Sequence, residues 1–209
     1  MKIKICGMKY RDNIEAVAAL QPDYLGFIFY PQSPRYVDDL SVLKTVPPSI
    51  KKVAVFVDAN LDDALQIVAD YDFDAVQLHG NEKPNYCSQF KTATIEVIKA
   101  FGIDEKFDFG TLKRYRDACD SFLFDTKSPM HGGTGKSFDW SILTQYKETK
   151  PYFLSGGIGV DNLLELKPLL DYEQVPYCID FNSKLETSPG VKDVQKVQTI
   201  ITQLKELTN

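Results

Sequence analysis

The chain has 209 residues, 44% of them hydrophobic, enough for one full-sized core and too few for two comfortable domains. A formal charge of −5, from 24 basic and 29 acidic residues with no long run of like charges, argues against nucleic acid as the main partner but leaves room for a small phosphorylated ligand, because backbone amides alone can hold one phosphate. Cys6, Cys87, Cys119 and Cys178 show no C-x-x-C spacing beside only two histidines, which disfavours a zinc site, and no apolar h-region or long apolar run is present, so a cytoplasmic protein with reduced thiols and no membrane partner is expected.

Short β-rich runs alternate with longer amphipathic ones along the chain. Lys2 to Ile5 reads as a first strand, followed by a helix from Arg11 to Leu20 with Ile14, Val17 and Ala18 on one face. Tyr24 to Phe29 is the second strand, and a short helix is expected near Asp38 to Lys44. Lys52 to Val57 is the third, with Asn60 placed to cap a helix running to Tyr71. Asp74 to Leu78 is the fourth, followed by a helix from Pro84, a residue suited to a first helical turn, to Phe90. Thr94 to Lys99, Ser121 to Asp125, Tyr152 to Ser155 and Tyr177 to Asp180 complete eight strands. Helices are expected after them at Thr111 to Ala118, Trp140 to Tyr146, Asp161 to Leu169 and Val194 to Leu207.

Strands joined by crossover helices make a parallel sheet. Eight units of about 26 residues fit a closed (β/α)8 TIM barrel at the short end of its range. An open doubly wound sheet is the alternative, usually with fewer strands and a switch point. The α/β barrel is the expected fold, as a single domain over residues 1–209.

In such barrels the site lies at the C-terminal strand ends. Those positions gather Cys6-Gly7, Ser33-Pro-Arg35-Tyr36, Gln77-Leu-His79-Gly80, Asp125, Ser155-Gly-Gly-Ile158 and Asp180-Phe-Asn182-Ser183. Gly156 and Gly157 lie before an expected helix, where amides and the helix dipole favour an anion. With Asn182 and Ser183 they are the phosphate-binding candidates; the plain alternative is a strand-to-helix glycine turn.

Cys6 reads either as an inert buried thiol or as a base, the latter only if its thiolate is stabilised nearby. Asp125 reads as a turn cap or as a general acid, which must hold a proton. Arg35 is a surface charge or a partner for a substrate carboxylate. His79 is a satisfied core histidine or, with Gln77 and Asp180, a substrate contact. The run His131 to Ser137 ends Gly-Lys-Ser like a nucleotide P-loop, but the required glycine five residues before Gly135 is Met130. A glycine-rich lid over the site is the better reading.

Taken together, Lys4-Ile-Cys-Gly7, Ser33-Pro-Arg-Tyr36, Val76-Gln-Leu-His-Gly80, Phe124-Asp-Thr-Lys127, Gly132-Gly-Thr-Gly-Lys-Ser-Phe-Asp-Trp140, Leu154-Ser-Gly-Gly157, and Asp180-Phe-Asn-Ser183 with Glu186 and Pro189-Gly-Val-Lys-Asp193 resemble the phosphoribosylanthranilate isomerases, in order and over essentially the whole chain. The resemblance implies an Amadori rearrangement in tryptophan biosynthesis. It implies Asp125 as the general acid on the furanose ring oxygen, and Cys6 as the base at sugar C2. It also implies Arg35 on the anthranilate carboxylate, and the Gly156-Gly157 and Asn182-Ser183 segments on the phosphate. It implies no metal and no organic cofactor. The expected partner is the small phosphorylated substrate, handled by a monomer or homodimer. The Met8-Lys9-Tyr10 segment and Ser128-Pro-Met-His131 depart from the commonest family pattern. Two rivals remain. One is another phosphosugar barrel enzyme, such as an indole-glycerol-phosphate synthase or a pentose-phosphate epimerase. The other is a barrel that binds a phosphometabolite without catalysis.

Overall fold

In the computed structural model, which describes residues 1–91, 95–127, 137–172 and 174–207, eight parallel strands close into a barrel. They are β1 (Lys2–Ile5), β2 (Tyr24–Ile28), β3 (Lys51–Phe56), β4 (Ala75–Leu78), β5 (Glu96–Ile103), β6 (Ser121–Thr126), β7 (Tyr152–Leu154) and β8 (Cys178–Phe181). Closure is made at β1, where Ile5 pairs with Leu25 of β2 on one side and Phe181 of β8 on the other. No open edge remains, so the doubly wound alternative falls.

Strand alternation sorts the side chains into two shells. Ile3, Ile5, Leu25, Phe27, Ala54, Phe56, Phe122 and Phe124 face outward into the layer under the helices. Cys6, Val53, Val55, Ala75, Ile98, Leu123, Phe153 and Cys178 fill the barrel interior. The same parity turns Lys4, Gln77, Asp125 and Asp180 inward, and all four are buried. A polar residue is thus placed at the mouth by its parity on the strand.

Among the described residues four α-helices cover the outside: α1 (Arg11–Ala18), α2 (Leu61–Asp70), α3 (Pro84–Phe90) and α4 (Val194–Leu207). Asn60 caps α2 as expected, its side-chain oxygen accepting from the amides of Asp62 and Asp63 at 2.9 and 3.3 Å. The other expected helices are 3-10 segments, at Leu40–Thr45, Phe109–Tyr115, Trp140–Gln145 and Leu163–Asp171. Three of them open on an aspartate, Asp39, Asp108 or Asp139, whose carboxylate accepts from the amide two residues on. Such local bonds favour tight turns over a regular helix. The fourth carries Pro168, which has no amide to donate.

Two further differences bear on the site. β5 begins at Glu96 and runs to Ile103, because β6 continues to pair with it up to Thr126. Thr94 of the expected strand lies outside the described residues, as do the lid glycines at 132, 133 and 135 and the segment Ser128 to His131. After β8 the chain forms a hairpin that periodicity did not suggest, β9 (Glu186–Ser188) and β10 (Val191–Lys192), turning at Gly190 with φ +84°. This strap is tied to α1, where the Lys192 amide donates to Asn13 Oδ1 at 2.7 Å and Asn13 Nδ2 donates to the Lys192 carbonyl at 2.8 Å.

Candidate active site

All ten predicted residues line one cavity of about 370 Å³ at the C-terminal mouth of the barrel: Cys6, Arg35, Gln77, His79, Asp125, Gly156, Gly157, Asp180, Asn182 and Ser183. The four cysteines are free thiols, and Cys6 is the one that lines this cavity.

Asp125 stands near the end of β6 and divides its oxygens between two tasks. Oδ1 accepts from the Thr126 amide at 2.7 Å, the local turn contact open to any strand-end aspartate. Oδ2 lies 3.2 Å from His79 Nε2, and His79 Nδ1 lies 2.7 Å from Gln77 Nε2. His79 therefore has a partner at both ring nitrogens while its ring lines the cavity. Two proton arrangements fit this chain. Gln77 Nε2–H donates to Nδ1 and the ring's Nε2–H donates to the Asp125 carboxylate. With the Gln77 amide turned over, Nδ1–H donates to Oε1 and a protonated Asp125 donates to Nε2. The first leaves Gln77 Oε1 buried without a partner, and the second places the amide nitrogen at that same position. The second leaves Asp125 holding the proton that an acid must give.

Across the mouth, Cys6 follows β1 and is 4% exposed. Burial pushes its thiol up; Lys4 and Lys192 pull it down, and Asp180 adds to the rise. Lys4 lies two residues earlier on the same inward face, its side chain fully buried, its Nζ 2.9 Å from Asp180 Oδ1. Burial opposes its charge, but Asp180 and Cys6 hold it above the ordinary lysine range. Gly26 of β2 makes room for the group. A Cβ there would fall 2.8 Å from Cys6 Sγ and 3.1 Å from Lys4 Nζ.

Arg35 reaches the cavity from the loop after β2. Its Nε donates to both oxygens of Glu186, at 2.9 and 3.0 Å, and Nη2 donates to Oε2 at 2.7 Å. Glu186 also accepts from Lys192 Nζ at 2.6 Å, and that ammonium donates to Asn182 Oδ1 at 2.7 Å. Burial works to raise the Glu186 carboxyl, but Arg35 and Lys192 outweigh it and hold the group below its usual range. Burial lowers Lys192 to about 8 despite the Glu186 charge. The strap thus joins the arginine side of the cavity to the Asn182 side.

Gly156 and Gly157 follow β7 with φ +100° and +64°, a left-handed pair that glycine adopts without a steric cost. Asn162 fixes the loop behind them, accepting from the Gly159 amide at 2.9 Å and donating to the Gly157 carbonyl at 3.0 Å. The segment after the loop is the 3-10 turn beginning at Leu163, so the expected α-helix N-terminus is absent there. An anion at this corner depends on the loop amides and on Ser183, which opens its own short turn at Ser183–Leu185.

Sequence reasoning missed Lys4, Glu186 and Lys192 as parts of the site. The last two do not line this cavity; Glu186 holds Arg35, 151 residues away in the chain, and Lys192 holds the nearby Asn182. Lys4 carried one signal: a lysine at an inward position of a buried strand needs a buried partner.

The chain is matched over residues 3–203 by the family described as N-(5'phosphoribosyl)anthranilate (PRA) isomerase. It is 41% identical to the N-(5'-phosphoribosyl)anthranilate isomerase of Parabacteroides distasonis, over 98% of this chain and 93% of that one. The crystal structure of phosphoribosyl anthranilate isomerase from Thermotoga maritima superposes with a TM-score of 0.86 at 31% identity, covering 99% of both chains. A phosphoribosyl anthranilate isomerase solved in complex with reduced 1-(o-carboxyphenylamino)-1-deoxyribulose 5-phosphate superposes with a TM-score of 0.83 at 28% identity, covering 99% of both chains.

Proposed function

Because this chain belongs to the N-(5'-phosphoribosyl)anthranilate isomerase family, enzymes of tryptophan biosynthesis, we propose that Cys6 and Asp125 are the base and the acid of its rearrangement. The observation that carries the assignment is their meeting at one cavity from β1 and β6, a thiol and a carboxyl reaching the same small volume.

The reaction needs a proton delivered to the furanose ring oxygen, which opens the ring to a Schiff base, and a proton removed from sugar C2. The enolamine then tautomerises to the ketone. Asp125 delivers the first proton, supported on His79 and Gln77. Cys6 as thiolate removes the second, with Lys4 and Lys192 as the nearby positive charges. A substrate anchored at both ends presents C2 to a fixed base, and that alignment lowers the barrier. Arg35 supplies one anchor, on the anthranilate carboxylate. Gly156, Gly157, Asn182 and Ser183 supply the other, on the phosphate. Gln77 and Asp180 complete the substrate wall. The residues 1–209 act as one isomerase domain with no metal and no organic cofactor, in the cytoplasm, as a monomer or homodimer. No helix among the described residues is long and apolar enough to cross a membrane.

The test is the loss of fluorescence of phosphoribosylanthranilate, made in situ from anthranilate and phosphoribosyl pyrophosphate, with the Cys6→Ala and Asp125→Asn proteins beside the wild type. Wild-type turnover that persists in both variants overturns the assignment.

A further inference from the structure

The buried pair Lys4–Asp180 is not explained by substrate contact alone, since Asp180 lines the cavity but Lys4 does not. Nor is it well explained as a stabilising device. Removing two charges from water costs about as much as their attraction returns, and an apolar pair of similar volume would hold the barrel at least as well. The two residues face each other in register across β1 and β8. On β2 the register partner of Lys4 is Tyr24, and two residues further on Gly26 has no side chain, so that one small space is bordered by both Cys6 Sγ and Lys4 Nζ, 2.8 and 3.1 Å from where a Cβ would stand. Lys4 interacts with the thiol through its charge and a side-chain hydrogen bond, and of the two residues only Cys6 lines the cavity.

We propose that Lys4 is a positioning residue for the base: its ammonium is the buried counter-ion of the Cys6 thiolate, and Asp180 shares that ammonium and limits its pull. The inference rests on Cys6 as the base and goes beyond it by naming what makes a buried thiol ionise. Substrate approaches Cys6 from the cavity, so a counter-ion placed there would obstruct C2. Lys4 reaches the sulfur from inside the barrel and leaves the cavity side open.

The charged and titratable groups around Cys6 are few. Lys4 comes from its own strand, Asp180 from β8 and Lys192 from the strap, while Cys178 belongs to the same interior cluster. Arg35 lies against neighbouring Gly7. β2 contributes Gly26 beside the sulfur and Tyr24 in the same interior cluster. Lys4 and Lys192 favour the thiolate; Asp180 disfavours it. Removal of Lys4 and removal of Asp180 must therefore shift Cys6 ionisation in opposite directions, which a packing defect has no reason to do.

The experiment measures the rate of Cys6 alkylation by iodoacetamide against pH in the full-length protein, mapped by peptide mass spectrometry. Cys87 and Cys119, pushed up by burial to about 11 and about 12, act as slow internal references. Lys4→Met is expected to raise the Cys6 midpoint by about one pH unit or more, the scale of one close opposite charge, with a rate near neutrality about tenfold lower. Lys4→Arg should restore most of the loss, and Asp180→Asn should lower the midpoint. The acid limb of kcat/KM should move with the midpoint in each protein. If Lys4→Met does not fold, the Lys4→Met/Asp180→Asn double variant, which leaves no lone buried charge, takes its place and should still sit above the wild type. An unchanged midpoint without Lys4, or shifts of one sign in Lys4→Met and Asp180→Asn, overturns the inference. The alkylation readout does not depend on turnover. A Cys6→Ala protein that keeps its activity therefore removes the base assignment without touching the ionisation result, and the two failures remain distinguishable.

Discussion

Glu186 grips Arg35 with both carboxylate oxygens, through hydrogen bonds of 2.7, 2.9 and 3.0 Å, although 151 residues separate them in the chain. The guanidinium is therefore held in orientation at the cavity wall. A planar donor fixed in this way loses little freedom when it meets a carboxylate. The same Glu186 binds Lys192, which binds Asn182, so one strap residue links the two sides of the cavity.

Glu186→Gln keeps the shape of the side chain and removes its charge. We expect KM to rise about tenfold, with a smaller change in kcat, because the loss falls on anchoring groups and leaves Cys6 and Asp125 in place. Steady-state kinetics decide the point; an unchanged KM would separate the strap from substrate binding.

The same variant should change the acid stability. Glu186 is held below its usual range, so its contribution is fully present above the unfolded-state value of roughly 4.3 and is lost as pH falls through the lowered folded-state value. Thermal melts from neutral pH into the acid range should show a steeper fall of Tm for the wild type than for Glu186→Gln. Parallel curves would remove this group from the acid limb.

Arg35→Ala should raise KM more than Glu186→Gln does, since the anchor itself is removed. Lys192 and Asn182 keep their bonds to each other, so the protein should stay folded. A kcat loss as large as the rise in KM would mean that the contact tightens in the transition state.

Cys6→Ala and Asp125→Asn should each lower kcat by about 10²-fold or more, the common size for lost acid–base catalysis. Their melts should stay close to the wild type. Near-normal turnover in either variant would falsify the role of that residue.

Gly26→Ala and Gly156→Ala test the two close approaches. At Gly26 a methyl group meets Cys6 Sγ at 2.8 Å and Lys4 Nζ at 3.1 Å inside the barrel. We expect a loss of about 1–3 kcal/mol from overpacking, with kcat depressed by displacement of the thiol. At Gly156 the methyl group presses on Thr126 and lies 3.0 Å from Asp125 Oδ1, at φ +100°. There both KM and kcat should suffer. Wild-type kinetics in a stable Gly26→Ala protein would show that the space beside Cys6 is not needed.

Strand order was legible in the sequence, because apolar runs such as Lys52 to Val57 and Ser121 to Asp125 are local and parallel strands require the crossovers that separate them. Which residues of such a continuous run turn inward was decided by the barrel. The helices after β2, β5, β6 and β7 were less legible. Aspartate caps and Pro168 compete locally with the α-helix, and segments of six to nine residues are too short for periodicity to decide between the α and 3-10 forms.

By itself the sequence determined which reactive groups stand at strand ends, and so the ten residues that share one cavity. Only the tertiary structure decided how those groups are charged and held. Lys4 meets Asp180 across 176 residues and Asn13 meets Lys192 across 179, contacts that no local pattern encodes. They arise because barrel closure brings the first strand beside the last. Lys4 and Asp180 act on the Cys6 thiol in opposite senses, and Glu186 orients Arg35, effects that depend on which charge lies within a few ångströms.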